Sequence, residues 1–207
     1  MVLVRRHEAA DLVFDVVTRR PHQAEPTESL PRDNAVLQRE VGNDIARTLE
    51  WVGRRENLVV CGPSGTGKTF FLEALGQLAV EAGSKVAWFS LESLGALVRR
   101  HRADDSVTKA VARILRADLV VVDDIGLLPV GPDAAEGLYR LVDAAYERRS
   151  VAVSSNLHPA GFDELMPKTL ATATVDRLLH HAHLCVTQGD SVRLSQATTG
   201  KGVVPLT

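Results

Sequence analysis

The stretch from Leu58 to Thr69, LVVCGPSGTGKT, constrains the fold of this chain more than any other. Its first four residues are apolar and form a run short enough for a buried strand. The next eight residues match the pattern G-x-x-x-x-G-K-[ST] at every fixed position. Glycines in this pattern let the backbone curl until successive N–H groups face an anion. Residues 70–81 are apolar at helical spacing, so a helix N-terminus is expected to face the same anion.

This loop predicts a nucleoside triphosphate site that uses magnesium. In such loops the lysine, here Lys68, reaches the outer phosphates, and the hydroxyl, here that of Thr69, ligates Mg²⁺. The strand before the loop and the helix after it argue against a purely structural glycine turn. The residues expected to contact the nucleotide are Gly62, Pro63, Ser64, Gly65, Thr66, Gly67, Lys68, Thr69 and Phe70.

Composition limits the remaining possibilities. A chain of 207 residues with a 45% apolar share is typical of one globular domain. The net charge is −2, so any contact with nucleic acid must come from a local basic patch. Cys61 and Cys185 both lie in apolar runs, which predicts two reduced thiols rather than a disulfide. No leader pattern opens the chain and no apolar run approaches about 18 residues, so we expect no membrane span and a cytoplasmic location.

Short apolar strands alternate with helical patterns along the chain. Strands are predicted at 58–61, 85–90, 119–122, 151–155 and 184–187. Helices are predicted at 34–54, 70–81, 92–102, 107–115, 132–149 and 169–183, with a further short amphipathic one at 9–18. This alternation indicates an α/β fold in which helices sandwich a parallel sheet of five strands.

Two adjacent carboxylates follow the third apolar strand. Asp123 and Asp124 come about 55 residues after Lys68, and strand C-termini gather at the ligand edge of a parallel sheet. We expect Asp123 to bind Mg²⁺ together with the Thr69 hydroxyl. Asp124 would orient or deprotonate the attacking water. The alternative is that the pair only caps a turn before Gly126.

Two further side chains allow two readings each. Asn156 follows the fourth strand and could position the attacking water against the γ-phosphate, or it could be a turn residue. Arg177 could stabilise charge on a transferred phosphoryl group in a neighbouring subunit. An intrahelical or surface ion pair is the commoner arrangement for an Asp-Arg dipeptide such as the one at 176–177.

A basic run and a histidine cluster complete the candidates. Arg99, Arg100 and Arg102 lie in the densest basic run, which is either a solvated helix face or a contact with DNA phosphates. Three histidines fall within 180–183, but adjacent histidines on a helix diverge in direction. No Cys, Asp or Glu stands beside them at ligand spacing, so a zinc site is not expected.

With these residues in place, the chain resembles the IstB-like ATP-binding proteins of insertion sequences, which are related to the DnaC-type helicase loaders of the AAA+ class. The resemblance covers about residues 29–194 and rests on ordered blocks. They are SLPR at 29–32, GPSGTGKT at 62–69, DDIGLLPV at 123–130, YERRS at 146–150, SSNL at 154–157, ATVDRLLHHAHL at 173–184 and GDSVRL at 189–194.

The resemblance implies a P-loop NTPase fold of AAA+ type, in which strand 151–155 lies between the P-loop strand and the acidic strand. It makes Asn156 the sensor asparagine and Arg177 an arginine finger that acts across a subunit boundary. Together with Lys68 and Asp124 they form the expected catalytic set. The implied protein is an ATPase that uses ATP and Mg²⁺, forms ATP-dependent oligomers on double-stranded DNA, and helps a transposase select target DNA.

The chain departs from the family pattern at two places. Asp124 stands where the family more often has Glu, which sets the carboxylate back by about 1.5 Å, so slow hydrolysis stimulated by DNA is expected. Residues 1–28 match the family poorly. The resulting division is an N-terminal segment and linker at 1–33, the AAA+ domain at 34–195 and a tail at 196–207, without room after Arg193 for a full helical lid.

Other functions remain open from the sequence. A DnaC-like helicase loader would use the same nucleotide site with a different client. A nucleotide-binding scaffold that hardly hydrolyses ATP would also fit the shorter acid at Asp124. A small-molecule kinase would need an Arg-rich lid and would not need Asn156 or Arg177.

Overall fold

The computed structural model describes residues 48–127 and 130–187 of the chain. In chain order its elements are α1 (Glu50–Gly53), β1 (Asn57–Cys61), α2 (Lys68–Glu81), β2 (Val86–Ser90), α3 (Leu91–Arg102), α4 (Val107–Ile114), β3 (Leu119–Ile125), α5 (Pro132–Ala145), β4 (Ser150–Ser155), a 3₁₀ helix (Pro159–Glu164), α6 (Lys168–Leu179) and β5 (Ala182–Val186). The predicted alternation of strands and helices is confirmed.

The five strands form one parallel sheet in the order β2-β3-β4-β1-β5. Parallel neighbours cannot be joined by tight turns, so helices carry the chain from the end of one strand to the start of the next. Strand β4 pairs with β1 on one side and with β3 on the other. The predicted insertion of the fourth strand between the P-loop strand and the acidic strand is therefore confirmed.

Helices cover both faces of the sheet, as the apolar character of the strands predicts. Side chains alternate between the two faces along each strand. On one face Val59, Val120 and Val153 pack in the larger apolar cluster, which includes residues of α3, α5 and α6. On the other face Leu58 and Val121 belong to a smaller cluster with residues of α2. Full burial of each such side chain contributes about 1.5–3 kcal/mol of hydrophobic free energy.

Helices α3 and α5 cross at close range because a glycine lies at the contact. A Cβ added to Gly95 of α3 would come within 3.0 Å of the Cβ of Ala134 on α5. Ser90 is the N-cap of α3, and its Oγ accepts a hydrogen bond from the Ser93 N–H at 3.1 Å. Pro132 occupies the first turn of α5, where its fixed φ favours helix and its missing N–H costs nothing. The crossing fixes α3 against the helix that follows the acidic strand.

Several element boundaries differ from prediction; α6, for example, was predicted to reach 183 but ends at Leu179, and β3 extends beyond 122 to Ile125. The helix predicted to reach Arg54 is interrupted at Leu49, which has a left-handed φ of 49°. Only the short helix α1 follows it. Helix α5 was expected to reach Arg149 but ends at Ala145, because Glu147 also has a left-handed φ of 57°. Strand β5 begins at Ala182 rather than at 184, since it pairs with β1 along the full length of that strand.

Some predictions lie outside the described residues: the short helix at 9–18, the linker, most of helix 34–54, the tail and the lid. The domain boundaries at 33/34 and 195/196 stay predictions. Within the part of the chain that the structure describes, no helix is long and apolar enough to cross a membrane. Both cysteines are free thiols, as predicted; Cys61 is buried and Cys185 is partly buried.

Candidate nucleotide-binding site

The loop at 62–67 connects β1 to α2 with the geometry that the motif predicts. Gly67 has a left-handed φ of 87°, and α2 begins directly after it at Lys68. The first helical hydrogen bond runs from the Phe71 N–H to the Gly67 carbonyl at 2.9 Å. No side chain among the described residues caps this helix. The N–H groups of its first turn therefore keep the orientation that favours an anion.

The end of β5 closes one side of the loop. The Thr187 N–H donates to the Cys61 carbonyl at 2.7 Å, and the hydroxyls of Thr187 and Thr66 lie 2.7 Å apart. A Cβ added to Gly62 would collide with the carbonyl oxygen of Thr187, so only glycine fits at that position. Thr187 was not predicted to lie at the loop, because 121 residues separate it from Thr66 and no local pattern links the two.

Lys68 folds back over the loop from the start of α2. Its side chain is buried, and its Nζ donates to the carbonyls of Gly62 at 2.8 Å and Pro63 at 2.7 Å. A buried ammonium needs hydrogen-bond acceptors, and these two carbonyls supply them. The ammonium is therefore held against the loop by its backbone carbonyls, and its contact with phosphates stays a prediction.

Asp123 is the point where three elements meet. Its side chain is 4% exposed, and its Oδ1 accepts hydrogen bonds from the Thr69 hydroxyl at 3.2 Å and from the Ser154 hydroxyl. The P-loop, β3 and β4 are thereby joined through one carboxylate oxygen. Carboxylate and hydroxyl oxygens are hard donors of the kind that Mg²⁺ binds, so Thr69 and Asp123 fit this ion.

The two aspartates lie within β3 in a β-bulge, and not after the strand as the sequence predicted. Val122 is opposite Val153 and Ile125 is opposite Ser155, so Asp123 and Asp124 together face the single residue Ser154. Asp124 has a left-handed φ of 62° and an exposed side chain, whereas Asp123 is buried. We call the pair 123–124 the acidic bulge. It directs the two neighbouring carboxylates into different surroundings.

Ser154 is the second residue that sequence reasoning missed. It is 1% exposed, its Oγ donates to Asp123 Oδ1, and it accepts a hydrogen bond from the Asp124 N–H at 3.1 Å. The sequence predicted that Ser154 lies inside the strand 151–155 and indicated no role for its side chain. The signal that could have found it is the pairing of β4 with the acidic strand.

Asn156 reaches the same edge of the sheet. It follows β4 directly, and its N–H donates to the Ile125 carbonyl at 2.8 Å. The turn after β4 is stabilised by the Ser155 hydroxyl, which accepts from the Leu157 N–H at 3.1 Å. The contact of the Asn156 side chain with a γ-phosphate stays a prediction, and the alternative that Asn156 is a turn residue stays open.

Arg177 contacts residues of α5 and of its own helix, α6. Its Nε lies 2.8 Å from Asp143 Oδ1, its Nη1 donates to the Ala173 carbonyl at 3.1 Å, and its guanidinium lies 5.8 Å from the ring centroid of Tyr139. The ion pair joins two helices and both of its side chains are partly exposed, so it matches the surface ion pair, and not the intrahelical one, of the alternative that the sequence left open. Its role as a finger towards another subunit stays a prediction.

The basic run at the end of α3 is largely paired with acids of α5. Arg102 Nη1 lies 2.6 Å from Asp133 Oδ1, and Arg99 Nη1 lies 3.7 Å from the other oxygen of that carboxylate. Arg102 also contacts Glu136. These carboxylates reduce the local positive charge, so Arg99 and Arg102 would attract phosphates less strongly than unpaired arginines. DNA contact by these residues and by Arg100 stays a prediction.

The histidine region differs from the expectation of no nearby carboxylate. Glu147, which follows α5, lies with His180 and His181 so that one potential ligand atom of each falls within 4.8 Å of the others. The Tyr146 hydroxyl already lies 2.9 Å from His180 Nδ1. His183 points elsewhere, with its Nε2 2.7 Å from the Glu56 carboxylate. All three clustered residues are exposed, and nothing else among the described residues points to a metal there.

Comparison with known proteins identifies the family of the chain. The profile of the family described as IstB-like ATP binding protein matches residues 33–200. The Insertion sequence IS21 putative ATP-binding protein of Pseudomonas aeruginosa is 34% identical over 161 residues, which cover 77% of this chain and 60% of that protein. The corresponding IS232 protein of Bacillus thuringiensis subsp. berliner is 31% identical over 149 residues, covering 71% of this chain and 59% of that protein. The chain thus spans about 60% of the length of these relatives.

Solved structures share the fold at low identity. DnaI superposes with a TM-score of 0.61 at 14% identity, over 78% of this chain and 88% of that one. The DnaC helicase loader superposes with a TM-score of 0.56 at 16% identity, over 79% of this chain and 94% of that one. AMPPCP-bound DnaA from Aquifex aeolicus superposes with a TM-score of 0.58 at 20% identity, over 84% of this chain and 52% of that one. With its P-loop, its acidic bulge and the family match over most of its length, the chain belongs to the IstB-like ATP-binding proteins and has the P-loop fold of the AAA+ class.

Proposed function

We propose that this protein hydrolyses ATP with Mg²⁺, assembles on double-stranded DNA, and assists the transposase of an insertion sequence in selecting target DNA. The observation that carries the hydrolysis step is the position of Asp123, buried between the hydroxyls of Thr69 and Ser154. The names of the relatives, which are ATP-binding proteins of insertion sequences, support the link to transposition.

The residues divide the chemistry among them. Thr69 and Asp123 would hold Mg²⁺, which neutralises charge on the phosphates when it is bound. Lys68 would exchange the carbonyls of Gly62 and Pro63 for phosphate oxygens, because both are acceptors within reach of Nζ. Asp124 would accept the proton of the attacking water or orient it, and Asn156 would hold that water against the γ-phosphate.

Arg177 would complete the site of a neighbouring copy. An arginine supplied by another subunit offsets the charge that develops on the transferred phosphoryl group. This role requires an oligomer, and a shared DNA duplex would bring the copies together. Such a protein would work in the cytoplasm, where the duplex is. Arg100, which is exposed and has no carboxylate partner among the described residues, is the strongest candidate of the basic run for a phosphate contact.

The test is ATP turnover by the purified protein with and without double-stranded DNA. We expect DNA to stimulate turnover, and we expect Lys68→Ala and Arg177→Ala each to abolish it. Lys109→Ala, an exposed lysine on α4, is the matched control and should leave the rate unchanged. Mixing the two inactive variants should restore activity, because each provides what the other's interface lacks. Turnover that is absent in every condition would contradict the ATPase proposal and favour a nucleotide-binding scaffold.

The client is tested separately. In a transposition assay with the cognate transposase, we expect the wild-type protein to change the distribution of insertion sites and Lys68→Ala to leave it unchanged. Stable binding to a replicative helicase, without an effect on transposition, would favour the helicase-loader alternative. That alternative is supported so far by the fold shared with DnaC and DnaI.

A further inference from the structure

Ser154 is a polar residue buried in the interior of the sheet, where apolar side chains are usual. It lies in β4, a strand with neighbours on both sides, and it follows the apolar residues 151–153. Its side chain is 1% exposed, so its hydroxyl has left water entirely. A buried hydroxyl is unfavourable unless it is hydrogen bonded, and both of the bonds that it makes go to the acidic bulge.

The first bond fixes a carboxylate. Ser154 Oγ donates to Oδ1 of Asp123, the same oxygen that accepts from the Thr69 hydroxyl at 3.2 Å. Two hydroxyls that donate to one oxygen restrict the orientation of the whole carboxylate. They leave the second oxygen, Oδ2, without a side-chain hydrogen bond to any residue that the structure describes, and therefore available to a ligand.

The second bond fixes the backbone of the bulge. Where two residues of β3 face one residue of β4, one of the extra N–H groups loses its partner in the strand ladder. Here the Asp124 N–H donates to Ser154 Oγ at 3.1 Å instead of to a β4 carbonyl. Asp124 holds a left-handed φ of 62°, a conformation that persists only where its surroundings stabilise it.

We infer that Ser154 is a positioning residue whose hydroxyl holds Asp123 in place for Mg²⁺ and Asp124 in place for the attacking water. This inference rests on the proposed use of Mg²⁺-bound ATP. A single hydroxyl serves both aspartates because it donates to one and accepts from the other. The alanine side chain can neither donate nor accept a hydrogen bond, and a cysteine thiol is only a weak donor and a weak acceptor. A hydrogen-bond partner of a metal ligand commonly changes metal affinity or activity by about 10- to 100-fold when it is removed.

The experiment compares Ser154→Ala with Ser155→Ala. Ser155 is the next residue and is equally buried, but its hydroxyl bonds to the Leu157 N–H and to neither aspartate. Binding of a fluorescent ATP analogue is measured across a Mg²⁺ titration and again in EDTA, together with kcat and the melting temperature. For Ser154→Ala we expect the Mg²⁺ concentration at half-maximal binding to rise about 10- to 100-fold and kcat to fall by a similar factor. Binding in EDTA should stay within about twofold of wild type, because the loop itself is unchanged.

Two outcomes would overturn the inference. One is a Ser154→Ala protein whose Mg²⁺ dependence equals that of Ser155→Ala. The other is a loss of nucleotide affinity that is the same with and without Mg²⁺ and accompanies a lower melting temperature, which indicates a structural role. Ser154→Cys, whose side chain is slightly larger and is only a weak hydrogen-bond donor and acceptor, carries the test if the alanine variant does not fold; a wild-type Mg²⁺ response in this variant would also refute the role of the hydroxyl. If the wild type hydrolyses no ATP, the proposed function fails, whereas the Mg²⁺ titration of binding still decides the role of Ser154.

Discussion

Arg177 on α6 and Asp143 on α5 form an ion pair, with 2.8 Å between Nε and Oδ1. The same guanidinium also donates to the Ala173 carbonyl and lies beside the Tyr139 ring. An arginine that serves a neighbouring active site must release such partners before it can reach a phosphate. The pair therefore competes with the proposed role of Arg177 as an arginine finger, and the partial exposure of both side chains limits the strength of the pair.

Removing the competing carboxylate should increase activity. Exposed ion pairs contribute about 0.2–1 kcal/mol, so Asp143→Asn should raise DNA-stimulated ATP turnover by up to about fivefold. Glu73→Gln is the control, because Glu73 is an exposed carboxylate on α2 that takes part neither in the Arg177–Asp143 pair nor in the pairing of the basic run. Turnover is measured at low protein concentration, where few copies are assembled. A lower rate for Asp143→Asn would mean that the carboxylate orients Arg177 productively instead of withholding it.

Gly62 is expected to tolerate no side chain. Gly62→Ala would place a methyl group against the Thr187 carbonyl and would force a φ of 147°, which is unfavourable for alanine. Overpacking and backbone strain together should lower the free energy of unfolding by at least about 2 kcal/mol. Gly53→Ala is the control, since nothing lies within 4 Å of its added Cβ. Urea unfolding measures both, and equal stability of the two variants would contradict the proposed closure of the loop by β5.

Patterns of neighbouring residues in the sequence correctly predicted the features of the fold that depend only on neighbouring residues. The loop at 62–69 and the strand–helix alternation need only the residues around them, and the structure reproduces both. The acidic bulge was missed because its geometry depends on β4, a strand about 30 residues away, and a serine there has no local signature. Contacts of the same kind, such as Thr187 with the P-loop and Asp143 with Arg177, join segments that are distant in sequence. No periodicity within either segment can reveal them.

Burial predicts that both thiols react slowly. Desolvation raises the pKa of Cys185 to about 11, and it also raises the pKa of Cys61 although the nearby Lys68 ammonium opposes this shift. Because a thiol is protonated below its pKa, only about one Cys185 in a thousand is a thiolate at pH 8. We expect slow reaction of the folded protein with a disulfide reagent at pH 8, a rate that rises with pH, and rapid reaction of both thiols in urea. Fast labelling of a folded thiol at pH 8 would contradict this burial.

Asp124 should matter for hydrolysis and not for binding. Asp124→Asn keeps the volume of the side chain, and Asn tolerates the left-handed φ of 62° as well as Asp does. It removes the charge that would orient or deprotonate water, so kcat should fall about 10²- to 10⁴-fold, while ATP affinity stays within about twofold. The matched control is Asp105→Asn, another exposed aspartate with a left-handed φ, here 53°, in the turn after α3. Single-turnover kinetics and equilibrium binding separate the two effects. If Asp124→Asn hydrolyses ATP at the wild-type rate, the catalytic carboxylate lies elsewhere and Asp124 serves only the turn.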